Sequence, residues 1–256
     1  MARAEARGGA PGALAGAPSD EVPGIAATGD GGITALFVSM AARHPGGVDA
    51  DYLRWHTLDH RPEQHRLASV RASLRVVSTP ACRAARAAGD ARFDAVDHVM
   101  SYFFADIAGL DAFAALSRAL GGAGRVPFVL PPVERGVYAV QSRVAAPRAR
   151  IGADVLPWWP ARGLFLLLED GSAPVAPLGE VAGVAGLWSA RSVPTALSSA
   201  GAGQQICYCF LDDDPVVVAA QLRPVLARRW RTTGIRPLLA APFYPVIPHE
   251  WSRHLP

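Results

Sequence analysis

Trp55-His56-Thr57-Leu58-Asp59-His60-Arg61-Pro62-Glu63 gathers two histidines, two carboxylates and an indole within nine residues. A four-residue interval on a helix stacks His56 above His60. Asp49 or Asp51 can cap such a helix, and its inward stripe would carry Tyr52, Trp55, His56 and Asp59. Pro62 removes a backbone donor and is expected to end or kink it. His60 would then sit near a helix C-terminus, where the partial negative charge of the last carbonyls favours the imidazolium form.

Outward from this helix the chain repeats a pattern. Ile33 to Met40 is an apolar, β-forming run closed by the turn signal His44-Pro45-Gly46-Gly47. After the histidine helix, Val70 to Ser78 alternates as a second strand. Thr79 to Phe93, rich in Ala and Arg, reads as a surface connection. Asp97 to Ala105 is a third strand with His98, Met100, Tyr102 and Phe104 on one face. Ile107 to Leu120 has helical apolar spacing with Gly121-Gly122 behind it, and Glu134 to Val144 closes the unit. Gly163 to Glu169, Gly183 to Arg191, Gln204 to Leu211, a helix over Val216 to Trp230 capped by Asp214, and Ala240 to Ile247 repeat the order without the histidine helix. The expected fold class is α+β: two tandem ferredoxin-like β-α-β-β-α-β units packed sheet to sheet as an α+β barrel within one chain. The expected organisation is a disordered Ala/Gly/Pro-rich tail over 1–30, a first half over 31–146, a linker over 147–162 and a degenerate second half over 163–256. The space between the sheets is expected to be the ligand chamber.

Composition narrows the chemistry. All 25 basic residues are arginine, and the absence of lysine excludes Schiff-base chemistry and a phosphate-loop lysine. A formal charge of +3 spread along the chain is no nucleic-acid footprint. Three cysteines, Cys82, Cys207 and Cys209, make a poor disulfide framework and fit a reducing compartment. Cys207 and Cys209 read as buried small hydrophobes sharing a strand face. No apolar run is long enough to span a membrane, so a soluble cytoplasmic protein is expected. Nucleophile elbow, dinucleotide fingerprint and phosphate loop are all missing from the sequence.

With Trp55, His56, Asp59, His60 and Pro62 at the matching positions, and with this order of elements, the chain resembles the ferredoxin-like dimeric α+β barrel superfamily, its EthD-like members most. The motif covers the first half; the second half matches by element order. The resemblance implies a barrel made by one chain where most relatives use two, either as a monomer or as a homodimer of fused barrels. That superfamily includes polyketide cyclases, cofactor-independent monooxygenases, isomerases, aldoxime dehydratases and haem enzymes, so the fold sets no reaction.

The expected function is cofactor-independent proton-transfer chemistry, such as cyclisation, isomerisation, dehydration or decarboxylation, on a hydrophobic aromatic or polyketide-like small molecule. His60 and His98 are the expected acid/base pair, and Tyr102 the group that orients the substrate or stabilises an oxyanion. Trp55, His56, Met100, Phe104 and Tyr138 are the expected substrate-binding residues. Other readings stay open. His60 can merely bond a free carbonyl at the helix end, and His98 can be a satisfied core histidine. The His56/His60 spacing also suits a metal, with Asp59 or Glu63 as a third ligand, but no HExxH or cysteine complement accompanies it, and no metal is expected. A carrier protein using the same cavity, or a haem enzyme with His56, His60, His65 or His98 as axial ligand, are the alternatives.

Overall fold

A computed structural model describes residues 16–26 and 32–256. The N-terminal half contributes five strands: β1 (Ala35–Ala41), β2 (Val70–Val77), a two-residue β3 (Ala88–Gly89), β4 (His98–Phe104) and β5 (Pro132–Ala145). The C-terminal half contributes β6 (Gly163–Asp170), β7 (Val184–Ser192), β8 (Gln204–Leu211) and β9 (Arg236–Pro245). Their order in the sheet is β2-β4-β1-β5-β7-β8-β6-β9-β3. Each half therefore places its four main strands in the same sequence, second, third, first, fourth, and every main pairing is antiparallel.

Two seams join the halves. At the first, β5 pairs β7 from Tyr138 opposite Ser192 to Ala145 opposite Gly186. At the second, β9 meets β2 at just Val76 opposite Pro245 and Val77 opposite Tyr244, which closes the sheet into a barrel. The segment expected to be a surface connection reinforces this short seam. Its Ala88–Gly89 pairs with Leu239 and Ala240 of β9, and its Phe93, with Val96 just beyond it, is fully buried in the interior cluster. Because β9 would otherwise leave unpaired backbone groups beside β2, this excursion covers an open sheet edge.

The barrel interior is solid. Leu36, Val38, Met40, Val99 and Phe103 point inward from the first half and meet Leu166, Trp188, Tyr208 and Phe243 from the second. Phe103 packs edge-on to Trp188 at 5.7 Å, and Ser101 and Tyr208 share a 2.7 Å hydrogen bond across the two sheets. The expected chamber between the sheets is thus filled by side chains. Large aromatics from both inner faces interdigitate, as they must in a small closed barrel.

Helices cover the outer faces. The histidine helix runs Asp49–Trp55, continues as a π turn over His56–His60, and ends as Arg61–Gln64. Pro62 does not stop it. The Arg61 N–H already bonds back five residues to the His56 carbonyl, so the widened turn accommodates a residue that lacks a donor. The Gly109–Gly122 helix packs beside it. In the C-terminal half, Pro215–Thr233 is capped by Asp214, whose carboxylate accepts from the Val216 and Val217 N–H groups, and it stops at Gly234 with φ of 68°. The connection expected to lose its helix has a short 3-10 turn, Ala176–Glu180.

Residues 147–162 pack against the barrel. Leu156 is buried, and the Trp188 indole donates to the Ala153 carbonyl at 2.6 Å. Of the expected N-terminal tail, Ser19 and Asp20 are hydrogen-bonded to this segment through Arg150 and Ala153; residues 1–15 and 27–31 lie outside the described residues. Among the described residues no helix is long and apolar enough to cross a membrane.

Candidate functional site

The side chains on the outer face of the first-half sheet do not all reach the helices above them, and a cavity of about 380 Å3 remains. That is within the roughly 300–1,000 Å3 of small-molecule sites. Phe37 and Ser39 of β1, Met100 and Tyr102 of β4, and Arg75 of β2 form its floor. Tyr52, Trp55, His56 and His60 of the histidine helix, with Phe113 and Ser117 of the Gly109–Gly122 helix, form its roof. Phe128 and Leu130 close one side, and Leu197, from the β7–β8 loop of the other half, reaches the rim. A larger cleft of about 630 Å3 lies against the Pro215–Thr233 helix, but it has no histidine and its Arg229 is already paired with Glu169.

Strand alternation brings Met100 and Tyr102 to this face together with His98 and Phe104. The expected residues divide accordingly. Trp55, His56, His60, Met100 and Tyr102 line the cavity. Phe104 lies behind Phe113, ring to ring at 5.3 Å, and lines nothing. Tyr138 is on the opposite face, inside the barrel, bonded to Glu134 and Gln204. Its strand presents it inward beside Leu36, and so it is not a binding residue of this cavity.

His98 is fully buried below the start of the histidine helix, with Nε2 2.8 Å from the Asp49 carboxylate. Burial lowers its pKa, and the bond to Asp49 offsets this in part, leaving a net lowering. Burial would raise Asp49, but hydrogen bonds from His98 and from the His44 N–H hold it below the usual range. A neutral imidazole donating to a carboxylate is the state consistent with both. Asp49 thus anchors the helix start to the sheet through His98, and His98 does not line the cavity.

His56 and His60 lie together, ring centroids 5.3 Å apart, with Trp55 5.2 Å from His60. Burial pushes the His56 pKa well down, with Arg75 and His60 adding repulsion. His60 is lowered for the same leading reasons, burial and then Arg75. This lowering is opposite in sign to the effect expected of a helix terminus. The helix continues past His60 into Arg61–Gln64, and the charge that weighs most on the ring is Arg75, ahead of Asp59, which acts in the opposite direction. The Asp59 and Glu63 carboxylates, expected as possible metal ligands, both bind Arg125 at 2.9 Å and tie the helix to the loop after Gly122.

Several polar atoms here are buried without a hydrogen-bond partner: His56 Nδ1, His60 Nδ1, Arg75 Nε and the Tyr102 hydroxyl. Burial raises the Tyr102 pKa strongly, so this phenol stays protonated and able to donate. Among the described residues no group of three or more His, Cys, Asp or Glu is arranged to hold a metal ion. The four histidines named as possible axial haem ligands are dispersed: His56 and His60 line the cavity, with His60 Nε2 3.4 Å from Gln64, whereas His98 is bound to Asp49 and His65 contacts the Ser73 hydroxyl at 2.7 Å.

Sequence reasoning missed Arg75. Its signal is slight: one cation between Leu74 and Val76 in mid-strand, in a chain rich in arginine. It is 4% exposed, donates to the Tyr52 hydroxyl and lies 4.9 Å over the Tyr52 ring.

No family model and no curated protein matches this chain. It is similar to the solved structures of a chlorite dismutase-like protein, TA0507 (9% identity, 84% of this chain and 95% of that one, TM-score 0.49), and of an anthrone oxidase-like protein (10%, 86% and 93%, 0.46). A dye-decolorizing protein from V. cholerae also matches (10%, 83% and 93%, 0.41). At these values the fold rests on the strand order and register of the chain itself.

Proposed function

We propose that the chain is an enzyme that moves protons on a hydrophobic aromatic or polyketide-like small molecule bound in the first-half cavity, without a cofactor. Isomerisation, cyclisation, dehydration and decarboxylation all fall in this class. The observation that supports it best is the pair of neutral imidazoles, His56 and His60, set in an apolar cavity opposite an unpartnered phenol, Tyr102.

His60, the more exposed of the pair, is the base. It takes a proton from the carbon beside a carbonyl, the C–H electron pair shifts toward the carbonyl oxygen, and the Tyr102 O–H donates to the oxygen as it gains charge. The imidazolium then returns the proton to another carbon, giving isomerisation, or to a departing hydroxyl, giving dehydration. His56 beside it keeps the pair from charging twice, since two imidazolium rings 5.3 Å apart repel. His98, expected as the second catalytic histidine, is a positioning residue acting through Asp49.

A general test uses 2-tetralone, a hydrophobic enolisable ketone, in deuterium oxide. The protein should accelerate α-proton exchange read by NMR, and His60→Gln should lower that rate by about 10²- to 10⁴-fold while binding persists. Bound tetralone that exchanges no faster than in buffer would make the chain a carrier.

A further inference from the structure

Among the described residues Arg75 is a cation without a counter-ion. Its guanidinium forms a wall of the cavity; its one hydrogen-bond partner among the described residues is the neutral Tyr52 hydroxyl, and its Nε has none. Among the described residues no aspartate or glutamate lines the cavity, and the other charged side chains at its edge, Arg118 and Arg135, are also cations and exposed. A buried charge is costly unless paired. The protein follows that rule elsewhere: Arg229, the buried arginine of the C-terminal half, is bound by Glu169 at 2.7 Å.

Register places a second donor beside it. Arg75 lies opposite Met100 and Ser73 opposite Tyr102, so Arg75 and Tyr102 are diagonal neighbours on one face. Long side chains at diagonal positions of an antiparallel pair reach a common point. Tyr102 is 3% exposed and its hydroxyl has no partner. An oxygen pair delivered there would meet a guanidinium N–H and a phenol O–H at once, and a planar guanidinium suits a carboxylate.

We propose that the ligand of this cavity is a hydrophobic carboxylate, its two oxygens received by Arg75 and Tyr102 while its apolar body lies against Phe37, Met100, Trp55 and Phe113. This rests on the cavity being the substrate site, as argued above, and names the class of molecule it takes. Arg75 acquires its missing counter-ion from the ligand, and a neutral amide of the same shape is held more weakly.

The test compares 2-naphthoate with 2-naphthamide, an uncharged analogue of the same outline, by calorimetry and by quenching of tryptophan fluorescence. The unaltered protein should bind the carboxylate about 10- to 100-fold more tightly, the range for hydrogen bonds to a charged group. Arg75→Met should remove that preference and Tyr102→Phe should reduce it several-fold. Arg118→Gln and Arg135→Gln should leave most of it. Equal or tighter binding of the amide by the unaltered protein overturns the proposal, and needs no variant to fold. So does a preference that survives in folded Arg75→Met or disappears in the rim variants. Failure here with tetralone exchange intact removes the carboxylate site alone. A clear carboxylate preference without exchange removes the catalytic reading alone.

Discussion

The two halves lay four strands in the same order and differ in what they put under their helices. On β4 the outer face carries His98, Met100 and Tyr102, with Arg75 beside them on β2. On β8 the corresponding face carries Cys207, Cys209 and Leu211, packed against Val218, Leu222 and Leu226 of the C-terminal helix. The connection from β1 to β2 is long enough for a helix that stands off the sheet; that from β6 to β7 holds one 3-10 turn that sends Leu178 down onto it. The first half keeps a cavity with unpartnered polar atoms and the second converts the same surface into core. The cost of a site is thus visible within one molecule, as hydrogen-bonding capacity that the folded chain leaves unused.

The largest effect expected on stability concerns what the halves share. Phe103 touches Trp188 and Tyr208 of the other half, so Phe103→Ala should cost about 3–5 kcal/mol and lower both halves in a single denaturant transition. Two separate transitions would mean that the halves are independent domains. Next is an exchange of characters between the outer faces. His56→Leu removes a buried imidazole whose Nδ1 has no partner and should raise stability by about 1–3 kcal/mol while tetralone exchange falls. Cys209→Ser, which puts a hydroxyl into the apolar face, should lower it by a similar amount and leave exchange unchanged. Stabilisation from neither His56→Leu nor Tyr102→Phe would refute the claim that the unpartnered polar atoms of the first half cost stability.

Acid should separate the halves further. His56 and His98 have folded pKa values below the ordinary 6.5 or so, so between the two values the unfolded chain binds more protons. Stability therefore falls as pH drops below about 6.5, with a slope of up to roughly 1.4 kcal/mol per pH unit for each such imidazole. The melting temperature of His56→Leu should fall less steeply below pH 6.5 than that of the unaltered protein. The same sign applies to catalysis: the rate of tetralone exchange should decline as His60 takes up its proton. The smallest effect concerns the seams. The amide of Val77, on the two-pair seam, should exchange with deuterium faster than those of Ser142 and Val144 on the long one.

Much of the fold was legible because the strands are bounded by strong signals. Gln204 to Leu211 is where the alternation and its flanking Gly and Asp place it, and Asp214-Pro215 marks the helix start. What the pattern could not supply was which face of β4 looks inward. Every residue from His98 to Phe104 is buried, since the sheet is covered on both sides, and alternation separates two faces without naming them. The sequence therefore assigns the histidines to the chamber between the sheets and places Tyr138 at the same ligand as Tyr102. The course of the helix past Pro62 was hidden for a local reason: a π turn has no sequence signature, and proline alone argues for a stop. Arg75 resembled the exposed arginines around it. Its burial depends on Tyr52, which is 23 residues away and comes from another element.

Leu197 is the one residue that the C-terminal half lends to the cavity wall. Most of that half's surface can accordingly be rewritten, with attachment points, labels or altered charge placed on its helix, while the cavity stays as it is. The same arrangement makes Leu197 a handle. Its size sets how far the wall extends over the cavity, so the breadth of molecules that fit can be tuned from the other half.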